Sequence, residues 1–101
     1  MFKAIILLKK KTNVSSEEFS NWWLKHHSPK ASKLPNIRKL CFNLVISDGD
    51  QEFDGIAEQW FDSQIDFESA YASEIGKEVA ADSMSNVFKR DRLFVNEHQI
   101  V

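Results

Sequence analysis

An α+β fold of order β-α-β-β-α-β is predicted by three features of the sequence. Phe2 to Lys9 reads as a strand with apolar residues on both faces at its middle, since Ile5 and Leu7 alternate with Ala4, Ile6 and Leu8. Two helical stretches open with capping sequences, at Ser15 with Glu18 and at Ser63 with Asp66. Two further strand-like runs flank Asp48-Gly49-Asp50, a composition suited to a hairpin turn.

The elements follow in order. After the first strand, Val14 and Phe19 sit where a hydrophobic staple closes on the first helix. Along it Phe19, Trp23 and His27 fall four residues apart, with Trp22 and His26 beside them, so one face passes from large aromatics into imidazole. Ser28-Pro29 predicts a break and a short restart through Lys33, and Pro35-Asn36 ends the segment. The second strand spans 37 to 47, with Leu40, Phe42, Leu44 and Ile46 opposite Cys41, Asn43 and Val45. The third spans 52 to 61, with Ile56, Glu58 and Trp60 opposite Ala57, Gln59 and Phe61. A helix with Phe67, Ala70 and Tyr71 at helical spacing ends near Ser73, and Glu74 to Phe88 reads as less regular helix, interrupted at Gly76 and recapped near Asp82. Leu93 to Ile100 is the closing strand.

This order is the split βαβ or ferredoxin-like arrangement, a four-stranded antiparallel sheet with both helices on one face. The other face then carries apolar residues with no cover. Two such sheets packed face to face would bury it, which predicts a homodimer with a barrel-like centre.

With 101 residues, 43% of them apolar and 12% aromatic, the chain fits one domain over residues 1–101. Thirteen basic and fifteen acidic side chains give a net charge of -2, and only Lys9-Lys10-Lys11 clusters, so no nucleic-acid partner is expected. Ala4 to Leu8 is an apolar run of about five residues, short of the roughly 7–15 of a signal segment and the roughly 18 of a membrane span. The single cysteine, Cys41, suits a reducing compartment, and a cytoplasmic location with no membrane partner is the expectation.

His27 is the first candidate for chemistry, because imidazole exchanges protons near neutral pH. Its alternative is structural: a histidine near a helix end that bonds a free carbonyl. Helical phase places His26 nearer the centre of the apolar face, which predicts it as the more buried of the two. No second ligand stands three or four residues from either, so no metal is expected. Asp82 follows two alanines and precedes Ser83, an N-cap context, with the orientation of an imidazole as its other role. Glu58 and Asn43 lie among apolar residues on strands, where a carboxylate must be paired, protonated or in contact with a wet cavity. Trp22, Trp23 and Trp60 are candidates for core or for a ligand platform. There is no G-x-S-x-G, glycine-rich phosphate loop or H-E-x-x-H, so hydrolase, nucleotide-binding and zinc-protease readings lack support.

The pieces together resemble the EthD domain family of the dimeric α+β barrel superfamily. They are E-E-F-x-x-W-W-x-x-x-H-x-P from Glu17 to Pro29, L-P-N-I from Leu34 to Ile37, F-D-G-I-A-E-Q-W-F-D from Phe53 to Asp62, Asp82 with Phe88 after it, and V-N-E-H from Val95 to His98. The resemblance implies a ferredoxin-like protomer, a homodimer and a pocket between sheet and helices. It makes His27 the motif histidine and Trp23 the aromatic four residues before it. Family members include cofactor-free enzymes that isomerise lactones or dehydrate and cyclise polyketides, and accessory proteins of degradation gene clusters. The reading that follows is a cofactor-independent protein for a hydrophobic carbonyl or aromatic metabolite. His27, Glu58 and Asp82 are its expected catalytic residues, and Trp23, Asn43, Trp60 and His26 its expected ligand-binding residues. A binding module without turnover and a cofactor-free monooxygenase are the alternatives.

Overall fold

The computed structural model describes residues 1–46 and 49–101. Its strands are β1 (Phe2–Lys10), β2 (Lys39–Leu44), β3 (Gly55–Phe61) and β4 (Val87–Val95). They form one antiparallel sheet in the order β2-β3-β1-β4, as the β-α-β-β-α-β reading requires. Between β1 and β2 run α1 (Ser16–Asn21), a π-helical stretch (Trp22–His27) and α2 (Ser28–Ala31). Between β3 and β4 run α3 (Gln64–Ala72) and α4 (Glu74–Asn86).

Register decides which side chains share a face. Ala4, Ile6 and Leu8 stand opposite Gln59, Ala57 and Gly55, and this set faces the helices. Its core has two parts: Ala4 and Phe61 with Ala31, Leu34, Phe67, Ala70 and Val79, and Ile6, Leu8 and Ala57 with Phe19, Trp23 and Val87. Lys3, Ile5 and Leu7, paired with Trp60, Glu58 and Ile56, therefore point to the open face.

The first helix starts as its sequence dictates. The Ser15 hydroxyl accepts from the Glu18 N–H and the Glu18 carboxylate accepts from the Ser15 N–H, closing the capping box. The expected break at Ser28-Pro29 does not occur. Ser28 stays helical, and its N–H donates five residues back to the Trp23 carbonyl. Pro29 has no N–H for the carbonyl four residues before it and its ring crowds that carbonyl, so the chain widens into π geometry instead of breaking. The Ser28 hydroxyl, donating to the Leu24 carbonyl at 2.7 Å, satisfies one of the groups this frees.

Three other expectations are corrected. α4 runs unbroken through Gly76 and Asp82, because its cap is Ser73, whose hydroxyl accepts from the Gly76 N–H at 3.1 Å. Gly76 permits a tight corner: a Cβ there would collide with the backbone of Ala70 and Tyr71 at the end of α3. β4 starts at Val87 and not Leu93, with Arg90 opposite Leu8 and Arg92 opposite Ile6, since an edge strand tolerates charged side chains. β2 (Lys39–Leu44) and β3 (Gly55–Phe61) are shorter than the expected 37–47 and 52–61; the expected strand end at Ser47 and turn Asp48-Gly49-Asp50 fall partly on residues 47–48, outside the described residues, and Gly49 has a φ of 131°.

Candidate functional site

Trp23 anchors the site. It is fully buried, stacks on Phe42 with ring centroids 4.3 Å apart, and lies against Gly55, where an added Cβ would approach the indole to 2.8 Å. One helical step further, His27 is 5% exposed, with its ring 5.0 Å from Trp22 and 6.1 Å from Phe42. The π-helical stretch carries both residues to the same inner surface. His26 is exposed, which reverses the expectation that it is the more buried histidine and leaves it off the inner surface. The reason is phase: a π-helical turn holds more residues than an α-helical one, so an angle of about 100° per residue overruns.

Asp82 reaches His27 from the middle of α4. Its Oδ2 lies 2.7 Å from His27 Nδ1, and its Oδ1 lies 3.3 Å from the Asn86 amide and 3.5 Å from Lys30 Nζ. The N-cap reading of Asp82 is thereby replaced by its other role, the carboxylate that orients an imidazole. Ser83, next along α4, places its hydroxyl 3.3 Å from His27 Nε2. A carboxylate accepts only, so Nδ1 carries the hydrogen toward Asp82 and the lone pair sits on Nε2.

Burial pushes the His27 pKa below its ordinary value, against the hydrogen bond and charge of Asp82 that act to raise it. For Asp82, burial acts upward, but the His27 hydrogen bond and the neighbouring cations outweigh it and hold the carboxyl low. Both shifts destabilise the fold in acid. Below an unfolded value of about 6.5 the unfolded chain binds a proton at His27 that the folded chain resists until its lower pKa is reached, and Asp82 resists protonation below about 3.8. Urea midpoints should therefore fall with pH, first in the window just below about pH 6.5 and again below about pH 4. His27→Phe should remove the first decline and weaken the second, because Asp82 then loses the hydrogen bond that holds its carboxyl low.

Ile6, Leu8, Trp23, His27, Phe42 and Ala57 wall a cavity between sheet and helices, joined by Val79 and Ser83 of α4, and by Gln59, Tyr71 and Arg90. Its volume is about 10 Å³, room for no more than one water molecule. A larger ligand enters only if the walls part.

Glu58, Asn43 and Trp60 are elsewhere. They stand on the open face, separated from His27 by the sheet, so the expected catalytic residue Glu58 and the expected ligand-binding residues Asn43 and Trp60 do not share the His27 cavity within the chain. Glu58 takes the paired option: its carboxylate lies 2.8 Å from Lys3 Nζ and accepts from the Asn43 amide at 3.0 Å. Lys3, 7% exposed, also contacts Glu97 at 2.9 Å, and the Trp60 indole N–H donates to Glu97 at 3.1 Å. The Lys3 ammonium further sits 4.5 Å from the Trp60 ring centroid. Hydrogen bonds from Lys3 and Asn43 hold Glu58 below the ordinary carboxylate range, a sign of a satisfied network and not of a poised acid.

Gln59, Tyr71 and Arg90 are cavity residues that the sequence reading did not select. The signal was present for Gln59, a polar residue between Ala57 and Phe61 on the face assigned to the core. Among the described residues there is no group of three or more His, Cys, Asp or Glu side chains placed to hold a metal ion, and no helix is long and apolar enough to cross a membrane.

Solved structures with this architecture are numerous. An ethyl tert-butyl ether D family protein from Bacillus halodurans C-125 superposes with a TM-score of 0.83 at 20% identity, over 97% of this chain and all of that one. A dimeric ferredoxin-like protein of unknown function from Bacteroides fragilis gives 0.73 at 16% identity over 95% of both chains. The hydroxynitrile lyase of Passiflora edulis gives 0.74 at 16% identity, over 97% of this chain and 95% of that one. At such identities the likeness establishes the fold and leaves the activity open. The search of curated proteins found no match. The sequence itself places the chain more narrowly: the model of the EthD domain matches residues 11–88, from the end of β1 through all of the helices, and the chain belongs to the EthD domain family.

Proposed function

We propose that the chain binds a small hydrophobic carbonyl compound between sheet and helices and moves a proton on it, with His27 as base and Asp82 as the group that holds His27. The observation that carries this is the His27–Asp82 pair. Asp82 takes Nδ1 at 2.7 Å, so the basic Nε2 is left to the cavity side, where Ser83 is its only neighbour within hydrogen-bond distance among the described residues. When Nε2 accepts a proton, the imidazolium forms beside a carboxylate that stabilises it. The aromatic walls supply apolar contact for the rest of the ligand.

The test is deuterium exchange. A panel of enolisable aldehydes and ketones, incubated with the protein in D₂O and followed by proton NMR, should include compounds whose α-hydrogens exchange faster than in buffer. His27→Ala should lower that rate by about 10²–10⁴-fold. Saturable binding of panel compounds with no exchange above buffer would replace this reading with a binding module; exchange unaffected by His27→Ala would assign the base elsewhere.

The protomer pairs with a second copy through its open sheet face. Supporting this is the adjacency of Leu7 to Ile56 and of Ile5 to Leu93 on that face, an apolar band beside the Lys3, Glu58 and Glu97 network. The Bacteroides fragilis neighbour is itself dimeric. In sedimentation equilibrium the wild type should run as a dimer and Ile5→Asp as a monomer, since a carboxylate buried in such an interface lacks a partner.

A further inference from the structure

The cavity holds polar groups that the His27–Asp82 pair leaves unused. Gln59 is 3% exposed, and its amide Nε2 donates to the Tyr71 hydroxyl at 2.7 Å, which leaves its Oε1 buried without a partner. With the amide turned over, Tyr71 would donate to the carbonyl oxygen and the NH₂ would be left over, so either orientation orphans one amide atom. Arg90 enters from β4 with a buried, unpartnered Nε–H, and among the described residues it makes no ion pair. A guanidinium without a carboxylate, an amide with a free atom and a phenol therefore meet in the cavity that contains His27. Buried polar groups in a folded protein are ordinarily satisfied, and a cluster of exceptions facing one space points to an occupant.

The chemistry of the cluster defines that occupant. Arg90 offers a cationic N–H, which suits an oxyanion. Because the Tyr71 oxygen already accepts from Gln59, its own hydrogen is free to donate to the same oxyanion. Burial raises the phenol's pKa despite the hydrogen bonds of Gln59 and Arg90 and the charge of Arg90, so Tyr71 stays a donor. Gln59 Oε1 needs a hydrogen, which a hydroxyl on the ligand supplies.

We propose that Arg90, Tyr71 and Gln59 form an oxyanion receptor and that the substrate is an enolisable hydroxycarbonyl compound, an inference that rests on the proton-transfer reading of His27. His27 Nε2 takes the hydrogen on the carbon next to the carbonyl. The C–H electrons become the carbon–carbon double bond, and the carbonyl π pair moves to oxygen, where Arg90 and Tyr71 meet the charge. The imidazolium then returns its proton: in an isomerisation to the former carbonyl carbon, while the hydroxyl proton passes to the enolate oxygen and the hydroxyl-bearing carbon becomes the new carbonyl, or in a dehydration to the hydroxide that leaves the neighbouring carbon as the enolate re-forms the carbonyl.

Glycolate, a hydroxy oxyanion, and glycolamide, its neutral counterpart, test the receptor directly. Titrations followed by amide shifts of Ala57 and Ser83 should show saturable binding, with glycolate tighter by about tenfold or more. Arg90→Gln should abolish that preference, Tyr71→Phe should reduce it, and His27→Gln should keep it. Equal affinities, no saturable binding, or a preference that survives Arg90→Gln overturns the receptor and leaves the orphan atoms to a single bound water. Should Arg90→Gln fail to fold, Tyr71→Phe decides: it removes one hydroxyl, and glycolate affinity must drop while glycolamide affinity holds. Glycolate preference in a protein without deuterium-exchange activity would sink the His27 reading alone; exchange that is indifferent to Arg90→Gln would sink the receptor alone.

Discussion

Trp23→Ala is expected to lower the unfolding free energy by about 3–5 kcal/mol, the range for truncating a buried aromatic to alanine. Trp23 has no exposed surface, stacks on Phe42, packs 5.5 Å from Phe19, and covers Gly55. Collapse into the vacated space is blocked on the sheet side, because Gly55 has no side chain to advance and Phe42 is held in β2. The void therefore persists and its full cost is felt. Urea unfolding measures the loss, and at about 4–8 °C per kcal/mol a thermal melt should show it clearly. A loss under about 1 kcal/mol would mean that the helix slides to refill the space. Trp23→Phe, which keeps a ring on Phe42, should lose distinctly less.

The same contacts explain what was legible in the sequence. β1 showed apolar residues on both faces, which called for cover on each side of the sheet; the helices supply it on the side of Ala4, Ile6 and Leu8. The capping sequences at Ser15 and Ser63 stated where helices begin, because a cap is local chemistry. Gly76 and Asp82 were read with the same local rules and misled. Gly76 serves a close approach between α3 and α4, and Asp82 a contact with a residue 55 positions away, neither of which local composition encodes. The N-cap that Asp82 resembles is supplied at Ser73.

The candidate site divided for a related reason. Strand alternation correctly set Glu58 and Trp60 opposite Gln59, yet pairing any of them with His27 required knowing which face the helices cover. Glu58 drew attention as a charge among apolar neighbours, and the open-face lysine Lys3 accounts for it. Gln59, neutral and unobtrusive, was the residue on the helix side. Arg90 was hidden by the late start assigned to β4: a K-R-D-R run resembles a loop until its pairing with β1 shows that Arg90 points to the helices and Asp91 away.

Asp82→Asn is expected to lower proton-transfer rates by about 10²–10⁴-fold while leaving the fold intact. The substitution keeps the shape of the side chain but adds an NH₂ that prefers to donate. Facing His27 Nδ1 at 2.7 Å, such a donor draws out the Nδ1 lone pair and moves the imidazole hydrogen to Nε2, the atom that must act as base. The loss should fall on kcat and spare the binding of glycolate, because Asp82 touches the imidazole and not the cavity. Nitrogen NMR of the His27 ring supplies the readout that a merely structural role would not move: the hydrogen should be on Nδ1 in the wild type and on Nε2 in the variant. In the wild type the rate should decline in acid as His27 becomes protonated, at a pH below the ordinary histidine value because burial depresses its pKa. Removing the carboxylate withdraws the contact that opposes that depression, so any residual activity of Asp82→Asn should persist to still lower pH. A variant that retained wild-type turnover with the hydrogen moved to Nε2 would show that His27 is not the base.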